Sequence, residues 1–166
     1  MGTDLLSKKN IKILVVDDEP DVLETLEDLL SMCEVTSASN FEEAGNLLDS
    51  QYFDMAILDI MGVNGYKLLE IAKEKEVIAV MLTAHAVSPE HVKKSYKEGA
   101  SFYVPKDEMS NITTYLEDIL EAREKGKHPW RRWMERIGNS YCKRKFGPNW
   151  QENDKEFWAK FEYTRE

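Results

Sequence analysis

The sequence predicts an α/β fold, a doubly wound five-stranded parallel sheet with helices on both sides, followed by a C-terminal helical extension. Three observations predict it. Short β-rich apolar runs alternate five times with segments whose apolar residues recur at helical spacing. Four of those runs end in a polar side chain, namely Asp17-Asp18, Asp59, Thr83 and Lys106. Beyond residue 122 the composition changes, and all four tryptophans lie there.

The elements follow in order. Residues 11–16 form the first apolar run, and Val22, Leu26, Leu29 and Leu30 then keep helical spacing, with Pro20 near the first turn. Residues 34–38 read as a weaker strand. Asn40 can cap a helix carrying Phe41, Ala44, Leu47 and Leu48. The strand at 54–58 leads through Gly62-Val63-Asn64-Gly65 to Tyr66, Leu68, Leu69 and Ala72. After the strand at 77–82, Ser88-Pro89 is a helix start for residues 89–98, whose apolar stripe is thin beyond Val92 and Tyr96. That helix reads as an exposed one, or as a weakly anchored element able to move. The strand at 102–104 precedes Ile112, Tyr115, Leu116, Ile119 and Leu120, a clean apolar face.

Length and charge narrow the function classes. The 166 residues suffice for one domain plus an appendage. Net charge is −9, with 10 Lys/Arg against 24 Asp/Glu in residues 1–122 and 12 against 7 in residues 123–166. The acidic body argues against nucleic acid as its own partner, while the basic segment leaves that question open. No apolar run is long enough to span a bilayer and no signal-peptide core opens the chain, so a cytoplasmic location is expected. Cys33 and Cys142 are too few for a disulfide framework or a cysteine metal site.

In an open parallel sheet the C-terminal strand ends share one edge, where such folds place their sites. Asp17, Asp18 and Asp59 meeting there would repel one another unless a cation intervened. An all-oxygen set open to water suits Mg²⁺. Asp59 could then attack phosphorus as a nucleophile, with Lys106 and Thr83 neutralising and positioning the phosphoryl group. Singly, each residue has a plainer use: the acid pair as a helix cap, Thr83 as a strand residue, Lys106 as a solvated lysine. Together at four strand ends they point to chemistry.

That combination resembles the receiver domain of bacterial response regulators. The matching residues are Val15-Val16-Asp17-Asp18-Glu19, Leu58-Asp59-Ile60-Met61 with Gly65, Met81-Leu82-Thr83-Ala84 and Tyr103-Val104-Pro105-Lys106, within about residues 10–122. The resemblance implies a flavodoxin-like strand order of 2-1-3-4-5, the order known for this family. It implies a receiver (phosphoacceptor) domain over 1–122 and a basic, Trp-rich helical extension over 123–166. It also implies that Asp59 accepts phosphate from a histidine kinase or phosphotransfer protein, catalysing only its own phosphotransfer and dephosphorylation. Asp18 and Asp59 would hold Mg²⁺ directly, Asp17 through water and Met61 through its backbone carbonyl. Thr83 would bond the phosphoryl group and Tyr103 would swing inward. The result would be a shape change on the face made by the helices at 89–98 and 112–120 and the strand between them, read by a downstream protein or a second copy.

Two positions depart from the family. Its members usually carry Met-Pro after the phosphoacceptor and a glycine eight residues on, whereas Gly65 lies six residues after Asp59. A proline, often after a cis bond, commonly follows the lysine, whereas Asp107 follows Lys106. A cis bond here would cost roughly 3 kcal/mol, so the turn is trans or strain is retained. His85 stands where relatives tune water access to the phosphate, or is a loop histidine.

In the extension, Gly126-Lys127-His128-Pro129 breaks the preceding helix. Trp130, Trp133, Met134, Ile137 and Tyr141 share a helical face, with Arg131, Arg132 and Arg136 largely elsewhere. Phe146-Gly147-Pro148-Asn149 is a turn, and Phe157, Trp158 and Phe161 form a second stripe with Asn153 or Asp154 as a cap. A hairpin of about 35 residues is too small for its own core. Three uses remain open: packing on the receiver, binding a protein partner or second copy, and serving a small DNA-binding regulator. The last is disfavoured because no helix-turn-helix pattern is present.

Overall fold

The structure, a computed structural model, describes residues 4–84 and 88–162, so His85 lies outside the described residues. The strands are β1 (Lys12–Val16), β2 (Glu34–Ala38), β3 (Met55–Asp59), β4 (Ile78–Thr83) and β5 (Phe102–Pro105). They form one parallel sheet in the order β2-β1-β3-β4-β5. Every residue of β3 is buried, as a central strand covered by helices on both faces requires. The helices are α1 (Asp4–Lys8), α2 (Pro20–Leu29), α3 (Phe41–Ser50), α4 (Gly65–Glu74), α5 (Pro89–Lys97) and α6 (Ile112–Glu124).

Local chemistry explains the helix starts. Asn40 Oδ1 accepts the Glu43 N–H at 2.8 Å, capping α3. Ser88 Oγ accepts the His91 N–H at 3.1 Å, and Pro89 opens α5. The acid pair does not cap α2. Glu19 is the N-cap residue without a side-chain cap bond, and Asp17 Oδ1 accepts the Glu19 N–H at 2.9 Å. Helix α1 had no periodicity long enough to signal it. It is held by Leu6, fully buried, and by the Glu117 carboxylate of α6, which accepts the Leu5 and Leu6 N–H groups at 3.3 and 3.0 Å.

The extension is a long helical segment over 130–146 and a second helix. The first consists of α7 (Trp130–Trp133), a π-helical stretch (Met134–Cys142) and α8 (Lys143–Phe146). The second, α9 (Lys155–Glu162), follows a 3-10 turn, and Asp154 Oδ1 accepts the Phe157 N–H at 3.3 Å. The apolar faces of both helices join the receiver's core, with Trp130, Trp133, Ile137, Cys142, Trp158 and Phe161 at most 1% exposed.

They cover the face made by α5, β5 and α6, which the sequence offered to a downstream protein or second copy. β5 is an edge strand, and an open edge leaves backbone groups unpaired. Here Trp130 Nε1 donates to the Ala100 carbonyl and Trp133 Nε1 to the Tyr103 carbonyl, each at 2.8 Å. Trp130 also stacks on Phe102, at 6.4 Å between ring centroids. The plain reading of α5 as an exposed helix is therefore corrected. Tyr96 lies among Trp130, Phe157 and Phe161, and Tyr66 of α4 reaches Ser95 from the other side at 3.2 Å. Its thin apolar stripe is completed by aromatic rings from the extension.

Candidate functional site

The strand registers set the site. Val16 lies opposite Leu58, Asp59 opposite Leu82 and Thr83 opposite Pro105, so four strands end level at one sheet edge. Asp59 and Thr83 are the last residues of their strands; Asp17-Asp18 and Lys106 follow theirs directly. Asp17 is fully buried, Asp59 and Thr83 are nearly so, and Asp18 is exposed. An open cleft beside them is lined by Asp18, Glu19, Asp59, Met61, Gly62, Ala84 and Lys106.

Lys106 ties the acids together. Its Nζ lies 2.7 Å from Asp17 Oδ2, 3.0 Å from Glu19 Oε1 and 3.6 Å from Asp59 Oδ1. Burial pushes the Lys106 pKa down, but the bonds to Asp17 and Glu19 and the charges of Asp17 and Asp59 outweigh it, and the net shift is upward. Asp59 is raised above the usual carboxylate range by burial and by the Asp17 charge, against the opposing pull of Lys106 and the Gly62 N–H. The Glu19 contact was missed at the sequence level, although the acidic run Asp17-Asp18-Glu19 was its signal.

A small hard cation fits this set. Asp17, Asp18 and Asp59 each offer a carboxylate oxygen, and these oxygens lie within 4.8 Å of one another. Asp17 Oδ2 is buried, with the Lys106 ammonium 2.7 Å away as its ion-pair partner. One ammonium against three close carboxylates and Glu19 leaves negative charge for an oxygen-seeking dication to balance.

The short loop after Asp59 works through two close approaches. Gly62 donates its N–H to Asp59 Oδ2 at 3.1 Å, and a Cβ on Gly62 would stand 2.5 Å from the Asp18 carboxyl. Asn64 takes a left-handed conformation at φ 58°. Gly65 then returns its N–H to the Ile60 carbonyl at 2.9 Å, where a Cβ would lie 2.2 Å from the Asp59 carbonyl oxygen. Only glycine allows α4 to start this close to the end of β3. Met61 borders the cleft and is 66% exposed. The Lys106–Asp107 bond is trans.

Tyr103 is buried on the strand beside that of Thr83, with the Thr83 hydroxyl near its own. Burial pushes its phenol far up, so the neutral form is held. Outside it lie Trp133, Tyr141 and Cys142 of the extension. Tyr141 donates its hydroxyl to Asp107 Oδ2 at 3.3 Å, and burial followed by the Asp107 charge pushes its pKa up to about 12. Asp107, which stands in place of the expected proline, thus anchors the extension beside the site lysine.

Comparison with known proteins places these residues in context. The response regulator receiver domain family matches residues 13–117. A two-component response regulator of Arabidopsis thaliana, ARR10, is 34% identical over 117 residues, covering 64% of this chain and 21% of that protein. The probable transcriptional regulator ycf27 of Guillardia theta is 43% identical over 89 residues, 51% of this chain and 34% of that protein. This chain thus matches about a fifth to a third of the length of these relatives. Among solved structures, a CheY-like receiver domain protein from Methanospirillum hungatei aligns with TM-score 0.61 and 26% identity, covering 69% of this chain and 98% of that one. A putative response regulator from Chloroflexus aurantiacus aligns with TM-score 0.60 and 29% identity, covering 68% and 99%.

Proposed function

Because this chain belongs to the response regulator receiver domain family, we propose that Asp59 is its phosphoacceptor and that phosphorylation there switches protein contacts. The observation that supports this most is the convergence of Asp17, Asp18 and Asp59 with Lys106 Nζ 3.6 Å from Asp59 Oδ1. The carboxylate oxygen of Asp59 attacks phosphorus, a P–O bond forms, and the P–N bond to the imidazole of a phosphorylated histidine kinase or phosphotransfer protein breaks. Asp18 and Asp59 would hold Mg²⁺ directly, Asp17 through water and Met61 through its carbonyl. The ion would supply charge neutralisation for the phosphoryl oxygens. Lys106, close to Asp59 Oδ1, supports the same charge, the Gly62 N–H fixes one carboxylate oxygen, and Thr83 offers a hydroxyl to the incoming group.

Incubation with a small phosphodonor and Mg²⁺ is expected to give acid-labile phosphate, lost in Asp59→Asn. Label that survives this substitution would put the acceptor elsewhere.

A further inference from the structure

The segment over 100–111 is gripped from both sides. On its inner side it carries Lys106, paired to Asp17, Glu19 and Asp59, and Tyr103, which neighbours Thr83 on the adjacent strand. On its outer side the extension holds it at successive points. Trp130 bonds the Ala100 carbonyl, Trp133 the Tyr103 carbonyl and Tyr141 the Asp107 carboxylate, and Arg144 Nη2 lies 3.9 Å from Glu108. Further contacts spread the grip to the flanking helices. Arg132 and Arg136 meet Asp118 of α6 at 2.7 and 2.8 Å, and Lys93 of α5 pairs with Asp154.

We propose that residues 130–162 are the resident partner of the α5/β5/α6 face, and that docking of this segment and phosphorylation of Asp59 stabilise one another. The proposal rests on the phosphoacceptor reading above and adds a partner and a sign to it. The sign comes from Tyr103. Trp133, Tyr141 and Cys142 are at most 3% exposed and close the outer side of β5, so docking selects the arrangement in which Tyr103 faces Thr83. A phosphoryl group on Asp59 that engages Thr83 and Lys106 acts on that same arrangement. Two events that favour one state of a shared element raise each other's affinity by the same factor. A segment expelled by phosphorylation would need Tyr103 and the 100–111 backbone to favour opposite arrangements for the two events.

The test uses the full chain with beryllium fluoride and Mg²⁺ as the probe, read by amide hydrogen exchange. Binding at the site is followed in the 59–65 loop and docking in residues 130–146. With the site filled, exchange in 130–146 should slow by about fivefold or more, the lower end of typical coupling between sites. Unchanged or faster exchange there, with the loop protected, overturns the proposal and leaves the phosphoacceptor reading intact. A loop that never responds to the probe overturns both. In the reciprocal arm, Trp133→Phe keeps a ring but deletes the indole donor, and Tyr141→Phe deletes only the bond to Asp107. Each should raise the beryllium fluoride concentration for half-saturation severalfold. If Trp133→Phe does not fold, Tyr141→Phe decides this arm, and an unchanged half-saturation point in it overturns the coupling.

Discussion

At Lys106 a single ammonium, 13% exposed, faces two buried carboxylates and Glu19. Removing one partner of a buried charge cluster leaves the others uncompensated. Lys106→Ala should therefore destabilise the metal-free chain by about 3 kcal/mol in denaturant titration. Mg²⁺ should restore more stability to this variant than to the parent, because the dication then balances acids that have lost their lysine. The same variant is expected to keep Mg²⁺ binding while losing the coupling between phosphorylation and shape change. Asp59 carries the opposite sign. Its pKa is raised in the fold, so its charged form opposes folding, and metal-free stability should fall as pH rises through the carboxylate range. Asp59→Asn removes that contribution and should raise the metal-free melting temperature at neutral pH. An unchanged or lower value would mean that Lys106 more than compensates the charge. At Gly62, a methyl group would strike the Asp18 carboxyl, so Gly62→Ala should weaken Mg²⁺ binding on titration by about tenfold, equivalent to about 1.4 kcal/mol.

At the scale of elements, the strand ends were readable because a parallel sheet imposes alignment. Apolar runs ending in Asp17-Asp18, Asp59, Thr83 and Lys106 need only pair in parallel for those groups to meet. The aromatic face of 130–141 was readable for a similar reason, since helical spacing put Trp130, Trp133, Ile137 and Tyr141 on one side. The surface that receives it was not. Its docking depends on indole N–H groups reaching the Ala100 and Tyr103 carbonyls, and backbone carbonyls leave no mark in side-chain patterning. Helix α1 was missed because its short segment is stabilised by Glu117, more than a hundred residues away. Asp118 offers a test at this scale. It is 4% exposed and receives both Arg132 and Arg136, so Asp118→Asn should weaken docking of the extension by roughly 2 kcal/mol, as faster hydrogen exchange in 130–146.

For the whole molecule, the charge asymmetry of the sequence takes on a structural meaning. Part of the basic extension faces the acidic receiver, with Arg132 and Arg136 on Asp118 and Arg144 near Glu108. Lys143, Arg144 and Lys145 remain exposed, a short cluster on one helical turn. Titration with duplex DNA at several salt concentrations is therefore expected to show no sub-micromolar binding that falls steeply with salt. Steep dependence at that affinity would favour the regulator reading, with the basic extension as its DNA contact.

We propose that Asp59, at this sheet edge, takes the phosphoryl group beside a metal held by its acidic neighbours. A crystal structure of the full chain with beryllium fluoride and Mg²⁺ tests it most directly. The expected result is beryllium bonded to an Asp59 carboxylate oxygen, its fluorines within reach of Thr83 and Lys106, and Mg²⁺ on Asp18 and Asp59. Beryllium fluoride bound to another residue, or an Asp59 left unmodified at saturating probe, would contradict it.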